Sequence, residues 1–283
     1  MNESWTLLKL LRWMTGYFTD KGIDNPRLDA ELLLAHQFGL DRVGLYLNYD
    51  RPLTVLELDA IRPLVKRRGQ REPLQYLLGS TEFWSLRLEV TAAVLTPRAD
   101  TEVLVEEALK RCGTDGTLLD VGTGSGAILI SLLTELPSWQ GVGLDISTAA
   151  LKVAQRNLAT HQLTERGQLL EGDLAALPER RFELIVSNPP YIPTAQWDEL
   201  MPEVRDYEPS LALLGGADGL DCYRNLVSQV DLCLNPGGWL LVEIGADQND
   251  AVTALFAASG LSELFLRYDY GGNPRVVGGR RNG

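Results

Sequence analysis

Several common ingredients are scarce in this chain. There are three cysteines (Cys112, Cys222 and Cys233) and two histidines among 283 residues, and no two cysteines form a CxxC pair. Zinc sites need closely spaced Cys or His ligands, so no metal is expected and the thiols read as buried and reduced. No apolar run approaches the ~18 residues of a membrane span. The N-terminal stretch MNESWTLLKLLRWMTGYF is amphipathic, carries Glu3, Lys9 and Arg12, and lacks a cleavable signal layout, so a cytoplasmic location is expected. Positive charge is also in short supply, the net charge being −12. The deficit is uneven: residues 1–80 hold 11 Lys and Arg against 10 Asp and Glu, whereas residues 81–283 hold 15 against 28. Proteins that draw their affinity from nucleic-acid phosphates show a basic face, and the larger part of this chain is the reverse.

What is present changes character along the chain. WTLLKLLRWM repeats apolar residues at helical spacing, and Asp24-Asn25-Pro26 is a start signal for a helix through LDAELLLAHQF to Gly39. DRVGLYLN is a short further piece. Thr54 with Glu57 forms a capping box, and Pro63 is expected to kink or split the helix behind it. In EFWSLRLEV, Leu86, Leu88 and Val90 alternate with polar residues, which predicts a strand pair linking two domains. The boundaries expected are a helical domain over 1–78, a β-hairpin linker over 79–98 and a second domain over 99–283.

From Gly116 strands and helices alternate: strands at TLLDV, GVGLDI, QLLEGD, FELIVSN and GGWLLVEIG, helices at SGAILISLLTEL, TAALKVAQRNLATH, LDCYRNLVSQVDLCL and AVTALFAASG. Short apolar strands between amphipathic helices indicate a mostly parallel, doubly wound α/β sheet. ELFLRYDY and PRVVGGR are joined by a Gly-Gly turn too tight for a helical crossover, so one of them must run antiparallel.

LLDVGTGSGA leads from a strand into a helix. Gly122, Gly124 and Gly126 let backbone pass close to a ligand, and the following helix offers free N–H groups. Asp145 ends the next strand, placed to accept hydrogen bonds from ribose hydroxyls, and Asp173 ends the third, where a carboxylate can meet an adenine amino group. Gly122, Gly124 and Ala127 also fit a dinucleotide pattern, so the loop alone leaves NAD and S-adenosylmethionine both open. Asp120, two residues before the first glycine, and the antiparallel last strand lean toward S-adenosylmethionine, the acid being placed to face a cationic tail and sulfonium.

FELIVSNPPYIP then delivers Asn188 from a buried strand into Pro189, Pro190 and Tyr191. The prolines fix two φ angles and remove two N–H donors, so the turn presents carbonyl oxygens without competing donors. The Asn188 side-chain oxygen and the Pro189 carbonyl can accept both hydrogens of a planar NH2 group, with Tyr191 stacked on it. This suits methyl transfer to an amide or amino nitrogen.

The chain resembles the PrmC/HemK family of glutamine N5-methyltransferases over nearly its whole length. The resemblance rests on EPLQYLLG, LTPRADTE, LLDVGTGSGAI, SNPPYI, YEPSLALLGGADGLDCYR, LLVEIG and NPRVVGGR. It implies a Rossmann-like S-adenosylmethionine-dependent methyltransferase domain behind a small helical domain that clasps the substrate. The implied acceptor is the glutamine of the Gly-Gly-Gln loop of class I peptide chain release factors. Carried over by motif, Gly122, Thr123, Gly124, Ser125, Gly126 and Asp145 hold S-adenosylmethionine, with Asp173 and Leu174 near the adenine and Asn188 beside the cofactor. Asn188 and Pro189 bind the glutamine amide, and Pro190 and Tyr191 complete its pocket. Two positions depart from the family pattern: Leu174 stands where an aromatic is common, and Ala99 replaces the second proline of PRPDTE. Alternatives that share the chemistry are glutamine methylation of a ribosomal protein and adenine-N6 methylation of nucleic acid; the acidic stretch 192–221, with seven acids and Arg205 as its one basic residue, disfavours the second.

Overall fold

The computed structural model describes residues 5–174 and 177–283. Glu3 of the N-terminal stretch lies outside them. The chain divides into two compact units, Met1–Gly79 with Met201–Tyr207, and Ser80–Leu200 with Glu208–Gly283.

The first unit is helical. In α1 (Leu7–Asp20) the Thr6 side chain caps the first turn, and Leu7, Leu10, Leu11, Met14 and Phe18 form a buried stripe at helical spacing. Helix α2 (Pro26–Phe38) opens on Pro26 and stops at Gly39, whose φ of +64° is the left-handed conformation glycine adopts freely. Asn25, at the cap, makes no side-chain hydrogen bond there. The short α3 (Arg42–Leu47) is followed by α4 (Val55–Gly69), with the complete Thr54–Glu57 capping box, and by α5 (Leu74–Leu78). Helix α4 is not split at Pro63. The capping box and the burial of Ile61 and Val65 on either side outweigh one missing hydrogen bond. Arg68, on the same helix, is buried and donates to Asp29 at 2.7 Å and to Glu203 at 3.1 Å. Glu203 lies in α9 (Pro202–Arg205), the single turn that joins this unit from later in the chain.

The second unit begins with a hairpin, β1 (Ser80–Phe83) and β2 (Leu86–Glu89), in which Phe83 and Leu88 enter the same core as Val103 and Leu104 of α6 (Glu102–Leu109). A 3-10 turn at Ala99–Thr101 precedes α6. Then come β3 (Gly116–Val121), α7 (Ala127–Glu135), β4 (Trp139–Asp145), α8 (Thr148–Thr160), β5 (Gly167–Glu171) and β6 (Phe182–Ser187). After α9 follow α10 (Asp221–Ser228), α11 (Val230–Cys233), β7 (Leu234–Glu243), α12 (Asn249–Ala258), β8 (Leu261–Tyr268) and β9 (Pro274–Arg281). The helix expected over 220–234 is broken between α10 and α11. Gln229, at the break, turns its side chain to accept from the Leu177 N–H and to donate to the Leu174 carbonyl.

These strands form one seven-stranded sheet in the order β5-β4-β3-β6-β7-β9-β8. All pairings are parallel except those of β9, which runs antiparallel to both β7 and β8. The tight Gly271-Gly272 turn requires this reversal. Successive strand residues enter two separate cores: Leu118, Leu184 and Leu241 pack with α6 and α7, whereas Leu119, Ile185 and Leu240 pack with α10 and α12. Burial on both faces explains the continuous apolar runs. Strand β3 lies between β4 and β6, so chain order reverses there, and a crevice opens beyond the carboxyl ends of these three strands.

Candidate active site

The crevice is built from the residues that follow β3, β4 and β6. After Val121 the backbone turns sharply, with Gly122 at φ +74° and Gly124 at +55°. Both conformations favour glycine. The N–H groups of Gly122 and Thr123 reach back to the Leu144 carbonyl at 2.8 and 3.0 Å, tying the loop to β4. Asp145, the last residue of β4, accepts the Gly124 N–H at 2.8 Å through one oxygen and the Ser147 N–H at 2.9 Å through the other. Its carboxylate therefore holds the loop and the start of α8 together and still has lone pairs to offer at the crevice.

Beneath the loop sits Asp120, fully buried. One of its oxygens accepts the Thr123 hydroxyl at 2.6 Å and the Leu129 N–H at 3.2 Å, while the other has no partner. Burial pushes its carboxyl up to about 7, against the pull of those two donors. Asp120 is not among the lining residues of the crevice: it fastens the loop to the first turn of α7 from below.

The crevice is lined by Gly122, Thr123, Gly124, Ser125, Asp145, Leu174, Asn188 and Pro190 of the residues singled out in the sequence. Gly126, Asp173, Pro189 and Tyr191 are not part of the lining. Gly126, at φ +82°, faces inward, and a Cβ there would meet Ile130 Cδ1 at 3.1 Å and Ala154 Cβ at 3.4 Å, so it serves the contact of α7 with α8. Asp173 is exposed, two residues past the end of β5, and Pro189 is buried. The Tyr191 side chain packs against the core that includes Tyr223 and Phe256, and its backbone oxygen accepts from Gln248 Nε2 at 2.9 Å. Burial, with Glu243 nearby, pushes the Tyr191 phenol up to about 12.

Asn188 has a defined orientation. Its Nδ2 donates to the Thr101 hydroxyl oxygen at 3.2 Å, which leaves Oδ1 as the end not engaged by Thr101. Other lining residues come from segments whose role the sequence did not reveal. Leu95, Pro97, Arg98 and Thr101 lie in LTPRADTE, and Pro209, Leu211 and Ala212 follow Tyr207-Glu208. Glu208, buried, accepts from Arg98 Nη2 at 2.6 Å and from the Thr96 N–H at 3.4 Å, so it pins the two segments together. Asn157 does the same for the glycine loop: it donates to the Ser125 carbonyl at 2.8 Å and exchanges hydrogen bonds with the Glu89 backbone at 2.7 and 3.0 Å. Long-range partners of this kind leave no mark in local sequence, although the motif LTPRADTE itself was visible.

A cradle of this shape can take a nucleoside-bearing ligand. An added Cβ on Gly122 would meet no protein atom within 4 Å, and one on Gly124 only the Gly122 carbonyl at 4.0 Å, so the bare backbone faces open space at the point where a ligand would approach. Among the described residues, no group of three or more His, Cys, Asp or Glu could hold a metal ion, and no helix is long and apolar enough to cross a membrane.

Comparisons with known proteins agree with this architecture. A family model described as the PrmC N-terminal domain matches residues 9–79, and one described as the methyltransferase small domain matches residues 98–202. A release factor glutamine methyltransferase of Geobacter sulfurreducens is 52% identical over 279 residues, 98% of each chain. One from Caulobacter vibrioides is 43% identical over 280 residues, 98% of this chain and 97% of its own. Among solved structures, a methyltransferase from Pyrococcus furiosus covers 69% of this chain and 88% of its own with a TM-score of 0.53; at 16% identity the likeness speaks for the fold.

Proposed function

The chain belongs to the release factor glutamine methyltransferase family, and we propose that it methylates the side-chain amide nitrogen of the Gly-Gly-Gln glutamine of class I peptide chain release factors, in the cytoplasm, with S-adenosylmethionine as donor. The observation that carries this reading is the Asn188 amide, whose nitrogen is held by Thr101 at 3.2 Å at the rim of a glycine-loop crevice.

The residues present fit the donor. Gly122 and Gly124 leave room for a ligand against bare backbone, and Asp145 has the acceptor chemistry for a ribose diol. Leu174 offers an apolar face for the adenine, and Thr123 and Ser125 complete the wall. When bound, S-adenosylmethionine supplies an electrophilic methyl carbon on a sulfonium. The chain's own work is to present the nucleophile. An amide nitrogen is a poor one, since its lone pair is shared with the carbonyl. Asn188 Oδ1 and the Pro189 carbonyl accept its two hydrogens, which fixes the direction of the lone pair and favours the positive charge that grows on nitrogen during attack. Pro190 closes the pocket wall, and Tyr191 backs the turn from the core side. A strong base is not required before attack, because the proton can leave once the nitrogen is cationic. The helical unit, which matches the PrmC N-terminal model, recognises the remainder of the release factor.

The test is a panel of acceptors incubated with methyl-labelled S-adenosylmethionine: a class I release factor, the same factor with the Gly-Gly-Gln glutamine changed to alanine, ribosomal protein, and duplex DNA. Label is expected on the first alone. Label on the alanine variant, on ribosomal protein in preference to the release factor, or on DNA would overturn the reading.

A further inference from the structure

The turn from Asn188 to Tyr191 cannot hold itself in place. Pro189 and Pro190 carry no N–H, so the turn is anchored through its carbonyl oxygens and through the residues that follow. Those anchors lead to one loop. The Ile192 N–H donates to the Leu213 carbonyl at 2.9 Å, and the Gly215 N–H donates back to the Ile192 carbonyl at 2.9 Å. The Thr194 N–H donates to the Gly216 carbonyl, also at 2.9 Å. Turn and loop meet as bare backbone. A Cβ added to Gly215 would stand 2.6 Å from the Pro190 carbonyl oxygen. One added to Gly219, whose φ is +77°, would collide with the Tyr191 carbonyl oxygen and lie 2.6 Å from Gln248 Nε2.

One side chain is set into this junction. Gln248, the residue before α12, is 8% exposed and is not part of the crevice lining. Its Nε2 donates to the Tyr191 carbonyl at 2.9 Å and to the Gly219 carbonyl at 3.3 Å, and its Oε1 accepts the Gly245 N–H at 3.0 Å. These partners are backbone groups of fixed polarity: the two carbonyls only accept and the N–H only donates. The amide therefore has one orientation, with both hydrogens engaged. The Tyr223 hydroxyl stands 3.4 Å from Oε1 and makes its shorter bond, 2.9 Å, to the Glu243 carbonyl. Gln248 thus ties together the turn after β6, the link from β7 to α12, and the loop that follows the lining residues Pro209, Leu211 and Ala212.

We propose that Gln248 is a positioning residue for methyl transfer: by holding the Tyr191 carbonyl it sets where the Asn188 side chain and the Pro189 carbonyl stand. The two prolines lock φ between Asn188 and Tyr191, so a shift of the Tyr191 backbone is passed toward Asn188 instead of being absorbed. The assignment rests on the amide-methylation reading above, and it adds a residue that touches neither cofactor nor acceptor. Without the Gln248 amide both carbonyls lose this donor, and the turn is free to shift against the loop.

The experiment compares the full-length wild type with Gln248→Met, Gly219→Ala and Leu261→Ala. Methionine keeps the length of glutamine without its donors or its acceptor. The methyl group of Gly219→Ala pushes on the same turn from the loop side. Leu261→Ala truncates a core residue in β8, at the edge of the sheet, and lowers Tm without touching the turn. The readouts are kcat and KM on a class I release factor, the Kd of S-adenosylhomocysteine, and hydrogen exchange of the Ile192, Thr194 and Gly215 amides relative to those of β3. In Gln248→Met and Gly219→Ala, kcat is expected to fall on the order of tenfold to a hundredfold while the Kd moves less than about twofold. The three amides are expected to exchange on the order of tenfold faster in these two variants. Leu261→Ala is expected to keep kcat within about twofold below its own Tm, with no selective change at the three amides. Unchanged kcat in Gln248→Met, a parallel collapse of kcat and Kd, or an equal fall of kcat in Leu261→Ala would overturn the proposal. If Gln248→Met does not fold, Gly219→Ala decides by the same criteria. Absence of wild-type turnover would overturn the substrate reading instead; the exchange comparison needs no acceptor and still decides whether Gln248 holds the turn.

Discussion

Gly122→Ala separates a loop that merely turns from a loop that cradles a ligand. Gly122 has φ +74°, and a Cβ added there meets nothing within 4 Å. The protein alone therefore suffers only the left-handed backbone strain of an L-residue, about 1–2 kcal/mol. For a cooperative unit of this size that is a fall in Tm of about 2–8 °C. A ligand packed against the bare backbone would collide with the new methyl group, so the affinity loss should exceed what strain explains. Isothermal titration with S-adenosylhomocysteine is expected to show a Kd at least about tenfold weaker, which is about 1.4 kcal/mol. Gly126→Ala provides the contrast. Its φ is +82°, and its Cβ would press on Ile130 at 3.1 Å and Ala154 at 3.4 Å, contacts that belong to packing rather than to the crevice. It should lose more in Tm than Gly122→Ala and less in Kd. A Gly122→Ala protein whose Tm falls as expected while its Kd stays within about twofold would refute the cradle.

Other variants test other links. Asn188→Ala is expected to lower kcat on release factor by on the order of a hundredfold or more while moving the cofactor Kd less than about threefold; equal losses in both would show that the side chain serves the cofactor instead. Asp145→Ala should weaken cofactor binding at least about tenfold, since it removes an acceptor from the ligand and one from the Gly124 N–H; an unaltered Kd by calorimetry would contradict this. Asp120 has a folded pKa of about 7 against an ordinary 3.8 because it is buried. The folded state thus binds its proton more tightly, and stability falls as pH rises from about 4 to about 7. Asp120→Asn removes that contribution, so the variant should gain in Tm relative to wild type across this window, and a pH-independent difference would be inconsistent with the assignment. Arg68→Ala leaves Asp29 buried without its partner, while Glu203 keeps Arg71 at 2.6 Å, and should cost about 3–5 kcal/mol, measured as early unfolding or proteolysis of the helical unit; a loss under about 1 kcal/mol would mean that the Asp29 charge is solvated.

Much of this architecture is legible because it is written in local patterns. Apolar runs of strand length between amphipathic helices give the sheet, and a turn too short for a crossover requires the antiparallel β9. Asn188 could be picked out because two prolines fix the turn around it. The rest is carried by contacts between distant segments. Thr101 holds Asn188 across 87 residues, and Asn157 holds Ser125 across 32. Glu243 reads locally as one polar residue at the end of a hydrophobic strand, and only the β6–β7 register puts it beside Asn188. Tyr191 was expected over the flat group of the substrate. Its backbone is held by Gln248 and its ring packs against the buried core, so it lies behind the turn, where the sequence offers no cue. Asp120 shows the same limit: its spacing from Gly122 suggests a ligand contact, but its side chain points under the loop because Thr123 and Leu129 supply donors there.

The central claim concerns a single nitrogen atom. Tandem mass spectrometry of the release factor after reaction with isotopically labelled S-adenosylmethionine locates the transferred methyl group to one residue and, by its fragment ions, to the side chain. One methyl on the amide nitrogen of the Gly-Gly-Gln glutamine is the predicted result. A methyl on any other residue of the factor, with that glutamine unmodified, would contradict it.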